Sequence, residues 1–216
     1  MPRDTPPITP ETLLMAYASG VFPMAEGRSD PEIFWVDPKT RGVLPLDGFR
    51  MSRSLSKTIA QERFVVTLNE DFEGVLAGCA DREETWINQE IAALYRELHK
   101  SAFAHSLEIW ADHGQRLVGG VYGVTLGSAF FGESMFSHAR DASKIALAYM
   151  VTLLRQQGFT LFDTQFLTDH LASLGAVEIP RAQYHRQLTH ALGRQARLDG
   201  PMPQSTSVRQ LRTQTS

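Results

Sequence analysis

Three polar side chains stand where apolar ones would be expected. Asp163 and Gln165 lie two residues apart in the run Leu161-Phe162-Asp163-Thr164-Gln165-Phe166, and Glu133 interrupts Phe130-Phe131-Gly132-Glu133-Ser134-Met135-Phe136. Strand alternation puts Leu161, Asp163 and Gln165 on one face and Phe162, Thr164 and Phe166 on the other. An acid and an amide on an apolar strand cost several kcal/mol unless they are partnered. They form either a buried structural network or a functional site. Glu133, expected at a strand end, has the same two readings: an edge position facing water, or a site. Trp35, Trp86 and Trp110 are either core residues or flat surfaces on which a base can stack.

Charge adds a weaker hint. The formal net charge is −3, which by itself does not favour nucleic acid. Residues 39–63 nevertheless carry Lys39, Arg41, Arg50, Arg53, Lys57 and Arg63 against Asp47 and Glu62. Residues 181–212 carry Arg181, Arg186, Arg194, Arg197, Arg209 and Arg212 against Asp199. Both stretches are solvated surface or local phosphate contacts. Arg53 and Lys57 fall one turn apart on one face of an expected helix.

The elements that position these groups follow from pattern. Hydrophobic residues make up 43% and charged residues 21%, so the chain is globular rather than disordered. No run approaches 18 apolar residues, and the first seven residues have no signal-peptide core. A single cysteine, Cys79, excludes an internal disulfide and a cysteine-based zinc site, and the expected compartment is the cytoplasm. Thr9-Pro10-Glu11 opens a helix that Gly20 closes. Residues 33–36 read as a strand, 52–62 as a helix, 64–68 as a strand, then a helix capped by Asn69 and another begun by Asn88. Residues 105–132 read as an antiparallel meander with Asp112-His113-Gly114 in its first turn. Asp141 is expected to cap a long helix ended by Gly158, followed by a strand over 160–166, a short helix and a last helix over 181–192. The order predicts an α/β (α+β) protein: a small N-terminal module over 1–62, then an N-acetyltransferase-like domain over 63–194 with a mixed, mainly antiparallel sheet flanked by helices. Residues 195–216 read as a loose tail or one ordered on contact.

The runs SGVFPM, FWVDP, TWI, LYRELH, AHSLEIW, LVGGVYGV, FFGESMFS, DASKIAL, LFDTQ and HLASLGAVEIPR occur in this order over residues 13–190. In this series the chain resembles the bacterial leucyl/phenylalanyl-tRNA–protein transferases. The resemblance implies transfer of Leu, Phe or Met from aminoacyl-tRNA to proteins beginning with Arg or Lys, which then enter N-end rule degradation. It places Trp35 and Trp86 around the terminal adenine, and Val121, Phe130, Met135, Leu147, Met150 and Phe162 around the donor side chain. Val121 and Met150 stand where the family often has Met and Phe, which bears on donor preference. Glu133, Asp163 and Gln165 match the reacting centre. Asp163 is the expected proton acceptor, and Gln165 orients, because an amide oxygen is a poor base. Arg53 and Lys57 are candidate tRNA contacts.

The ester is already activated, so no ATP, metal or other cofactor is expected, and no DNA or membrane partner. The rival reading is an acyl-CoA-dependent N-acetyltransferase. It needs a glycine-rich turn before the long helix, whereas residues 137–143 contain no glycine and include Asp141. A non-catalytic tRNA-binding module and a longer, paired-domain relative that extends peptidoglycan precursors are further alternatives.

Overall fold

The computed structural model describes residues 8–28, 30, 32–82 and 85–211; Arg212 of the second basic stretch lies outside them. Helix α1 (Pro10–Ala18) begins as its sequence dictates: the Thr9 hydroxyl accepts from the Thr12 N–H and proline occupies the first turn. Gly20, at φ +84°, turns the chain out of it. Strands β1 (Phe22–Met24) and β2 (Phe34–Val36) pair as a two-stranded antiparallel ribbon. The remaining strands are β3 (Thr40–Val43), β4 (Val65–Leu68), β5 (Ala104–Ala111), β6 (Arg116–Leu126), β7 (Ala129–Ser137), β8 (Leu161–Gln165) and β9 (Val177–Pro180). They form one seven-stranded sheet in the order β4-β5-β6-β7-β8-β3-β9. The meander is antiparallel, β7 and β8 are parallel, and β3 runs antiparallel to both β8 and β9.

Helices cover both faces. On one lie α2 (Arg53–Ala60), α5 (Ala142–Gln156) and α8 (Ser205–Arg209), whose apolar residues join Leu107, Ile109, Val121, Phe130 and Phe162. On the other, α1, α3 (Phe72–Ala80), α4 (Gln89–Lys100) and α7 (Arg181–Leu192) pack over Tyr122, Val124, Phe131 and Leu161. The neighbours Phe130 and Phe131 go to opposite cores, as strand alternation requires. A short helix, α6 (Asp169–Ser173), connects β8 to β9.

Several local expectations change. Asp71, not Asn69, caps α3, accepting from the Gly74 N–H at 2.8 Å. Asn69 is left-handed, at φ +61°, and bonds His105 and the Ser106 N–H instead. Asp141 precedes α5 with φ +65° and caps nothing with its side chain; it pairs with Lys144 at 3.2 Å. Of the segment read as a loose tail or one ordered on contact, the described residues 195–211 are packed: Leu198, Val208 and Leu211 are buried in the α5 core. Strand β3 comes from the stretch read as a small module, yet it pairs inside the large sheet. Its Arg41, counted among surface cations, is 1% exposed.

Candidate active site

Strands β7 and β8 pair through three positions, Ala129↔Leu161 to Phe131↔Asp163. Beyond them the two strands part, and a cleft of ≈ 400 Å³ opens at the split. Two bulges shape it. The β6–β7 register passes from Tyr122↔Ser134 to Gly123↔Gly132, which leaves Glu133 as the extra residue. The β3–β8 register passes from Gly42↔Gln165 to Val43↔Asp163, which leaves Thr164 extra. A bulge frees one residue from the ladder and re-aims its side chain. Glu133 therefore lies within β7, at the cleft, rather than at the strand end the sequence implied.

The cleft wall contains Val121, Met135, Leu147 and Phe162 of the expected donor pocket, together with Trp86. Phe130 and Met150 are fully buried and stand behind that wall; Phe130 packs edge-on against Phe162, ring centres 5.0 Å apart. Gly132 must be small, because a Cβ there would sit 2.6 Å from the Phe162 ring. Phe22, Pro23 and Met24 of β1 close one side. Trp35 pairs across from Pro23 and is 39% exposed, so it is no core tryptophan. Trp110 has a structural role: its indole N–H donates to the Thr67 hydroxyl. Arg53 and Lys57 are both exposed on α2.

The polar end of the cleft holds Glu133 and Gln165. The Tyr95 hydroxyl donates to Glu133 Oε2 at 2.7 Å, and the Tyr17 hydroxyl lies 2.7 Å from that of Tyr95. Gln165 Nε2 donates to Glu133 Oε1 at 3.1 Å. Burial pushes the Glu133 carboxyl up to about 7, with the Tyr95 and Tyr17 hydroxyls opposing and Asp163 adding to the rise. Gln165 sits at φ +57°, a conformation that turns the chain at the end of β8.

Asp163 lies beside this pair without lining the cleft. It is fully buried and saturated. Arg41 Nε and Nη2 donate to its two oxygens at 2.9 and 2.6 Å, the Tyr184 hydroxyl donates at 2.7 Å, and the Gln165 N–H at 2.8 Å. The Arg41 guanidinium lies 4.5 Å from the Phe22 ring centre and 4.3 Å from that of Tyr184, and it donates to the Gly20 carbonyl. Such a bidentate, stacked arrangement compensates a charge taken out of water. Sequence reading missed Arg41, Tyr17, Tyr95 and Tyr184, since a tyrosine or arginine at those places carries no distinguishing local pattern. Among the described residues, no group of three His, Cys, Asp or Glu side chains is placed to hold a metal ion.

Fold and site define a mixed α/β protein whose split sheet cradles an apolar cleft ending on a buried carboxylate–amide pair. FemX shares the fold, at a TM-score of 0.53 and 12% identity over 79% of this chain and 66% of that one. Sequence comparison is more specific. The profile of the leucyl/phenylalanyl-tRNA protein transferases matches residues 43–189, and that of their N-terminal domain matches residues 7–39. Leucyl/phenylalanyl-tRNA–protein transferases of Ruegeria sp. (strain TM1040) and Cereibacter sphaeroides (strain ATCC 17025) are each 60% identical to it. They align over 97% and 98% of this chain and 99% and 100% of theirs. That of Ruegeria pomeroyi is 61% identical over 97% of this chain and 99% of its own. The chain belongs to the leucyl/phenylalanyl-tRNA protein transferase family.

Proposed function

We propose that this chain transfers Leu, Phe or Met from aminoacyl-tRNA to the α-amino group of proteins beginning with Arg or Lys, in the cytoplasm, marking them for N-end rule degradation. The observation that carries the reading is one cleft with an apolar wall and a carboxylate–amide end, in a chain of this family. The donor side chain occupies the wall of Val121, Met135, Leu147 and Phe162. Burial there favours apolar side chains and excludes charged ones. Trp86 on the cleft and Trp35 on the adjacent ribbon hold the terminal adenine, and Arg53 and Lys57 contact tRNA phosphates. The main domain is read as N-acetyltransferase-like, with the split sheet redirected from CoA to charged tRNA.

The amine nitrogen attacks the ester carbonyl carbon, the carbon–oxygen bond to the ribose breaks, and the ribose oxygen leaves as a hydroxyl. The amine surrenders one proton. Glu133 is the acceptor we favour: it lines the cleft and titrates near neutrality, where a general base works best, and it passes that proton on to the departing ribose oxygen. Gln165, its nitrogen engaged by Glu133, offers its oxygen to orient the amine. Asp163, which accepts two hydrogen bonds at each oxygen and does not line the cleft, is a positioning residue that holds the Gln165 turn in place. The proton-accepting role expected of Asp163 thus passes to Glu133. Holding amine and ester in contact supplies much of the rest.

The test is purified protein with labelled Leu-tRNA or Phe-tRNA and an Arg-initiated peptide, without CoA, ATP or added metal. Peptide-bond formation is the expected result. Activity that required acetyl-CoA, with none from charged tRNA, would overturn the proposal.

A further inference from the structure

Two polar atoms on the cleft wall have no hydrogen-bond partner among the described residues. Thr164 is 9% exposed, and its hydroxyl, freed from the ladder by the bulge, is buried without a hydrogen bond. His170, on α6, presents a buried Nε2 that is likewise unbonded. A buried hydroxyl left unsatisfied is less favourable than a methyl group of the same shape. Their shared position on one cavity wall points to a ligand group that bonds them.

The chemistry of the two atoms narrows that group. The hydroxyl is neutral, and burial, then the neighbouring Lys144, holds the His170 imidazole below its usual value, which favours its neutral form. An ammonium would be drawn to Glu133, and an apolar side chain to the wall of Val121, Met135 and Leu147. A hydroxyl and a neutral imidazole suit a neutral group that both donates and accepts. Thr164 is also the immediate neighbour of Gln165, where the ester is proposed to react. We propose that Thr164 and His170 form a subsite for the free hydroxyl of the terminal ribose, the one beside the ester oxygen. This rests on transfer from aminoacyl-tRNA as argued above, and it gives the enzyme a means of fixing the leaving oxygen relative to Glu133.

The test uses two amide-linked donor mimics, 3′-phenylalanylamido-3′-deoxyadenosine and its 2′,3′-dideoxy counterpart, which lacks that hydroxyl. The wild type binds the first about tenfold more tightly, the size of one lost hydrogen bond. Thr164→Val binds both mimics at the weaker level, while its ligand-free melting temperature stays equal or rises because an orphaned hydroxyl is gone. His170→Gln, which keeps a polar atom near Nε2, retains part of the preference; His170→Phe loses it. A Thr164→Val protein that keeps the full preference overturns the subsite. So does one that melts earlier and binds both mimics equally less well than wild type, which makes Thr164 structural. If the wild type transfers Leu to an Arg-initiated peptide yet binds both mimics equally, the ribose subsite fails alone. If it transfers nothing from charged tRNA, the functional reading fails with it.

Discussion

Asp163 and Glu133 are both carboxylates withdrawn from water on neighbouring strands, and their partners differ in kind. Asp163 meets a guanidinium, with Arg41 donating to both of its oxygens. Glu133 meets neutral groups, the Tyr95 hydroxyl and the Gln165 amide. A buried carboxylate bonded to a guanidinium has its desolvation offset by an opposite charge, whereas Glu133, bonded only to neutral groups, is pushed up to about 7 by burial. The first serves to fix the end of β8. The second is suited to exchange a proton. Under the proposed function, two nearby carboxyls take different roles because their surroundings differ.

The comparison breaks most visibly if the ion pair is removed. Arg41→Met leaves Asp163 buried without its cation and should cost about 3–5 kcal/mol of stability, measured by urea unfolding. The double variant Arg41→Met with Asp163→Leu removes both charges and should recover much of that loss. A single variant as stable as the wild type would show that Asp163 does not depend on Arg41.

Glu133→Gln tests the other carboxylate. Its carboxyl lies at about 7 in the folded protein against 4.5 when unfolded. Between those values the native state binds more protons than the unfolded one, so stability falls as pH rises toward 7 and then levels off. The interval corresponds to about 3 kcal/mol. The glutamine variant should lack this fall, melt higher than the wild type at pH 8, and turn over about 10²-fold more slowly. Melting curves from pH 4 to 8 and kcat/KM against pH check both. A wild-type stability that does not decline over that range would remove Glu133 as the neutral-pH titrating group.

Smaller effects sharpen the picture. Trp86→Ala should weaken binding of an aminoacyl-adenosine mimic by about 1–3 kcal/mol, with little change in melting. A collapse of melting temperature at unchanged affinity would assign Trp86 to the core instead. Tyr17→Phe should cost about 1 kcal/mol or less. Because the Tyr17 hydroxyl helps to lower the Glu133 carboxyl, its loss should move the pH inflection of activity upward. An inflection that moves down, or stays in place, would separate the tyrosine pair from Glu133.

Local pattern was enough for much of this protein. Thr9-Pro10 marks the start of α1, Asn88 caps α4, and Gly158 ends α5 at φ +79°. Each is decided within a turn or two of chain by dihedral preference, capping and periodicity, which adjacent residues carry on their own. The motif series likewise named Val121, Met135, Leu147, Phe162, Glu133 and Gln165, which line the cleft, along with Phe130, Met150 and Asp163, which do not. Only the tertiary structure decided which carboxylate meets a cation and which lines the cleft. Arg41 reaches Asp163 across 122 residues of chain, and β3 is a strand because β8 and β9 flank it. Glu133 and Thr164 face the cleft through bulges, and a bulge exists only relative to the register of a partner strand. Ion pairing and register depend on which distant segments meet, and no property of the local sequence contains that information.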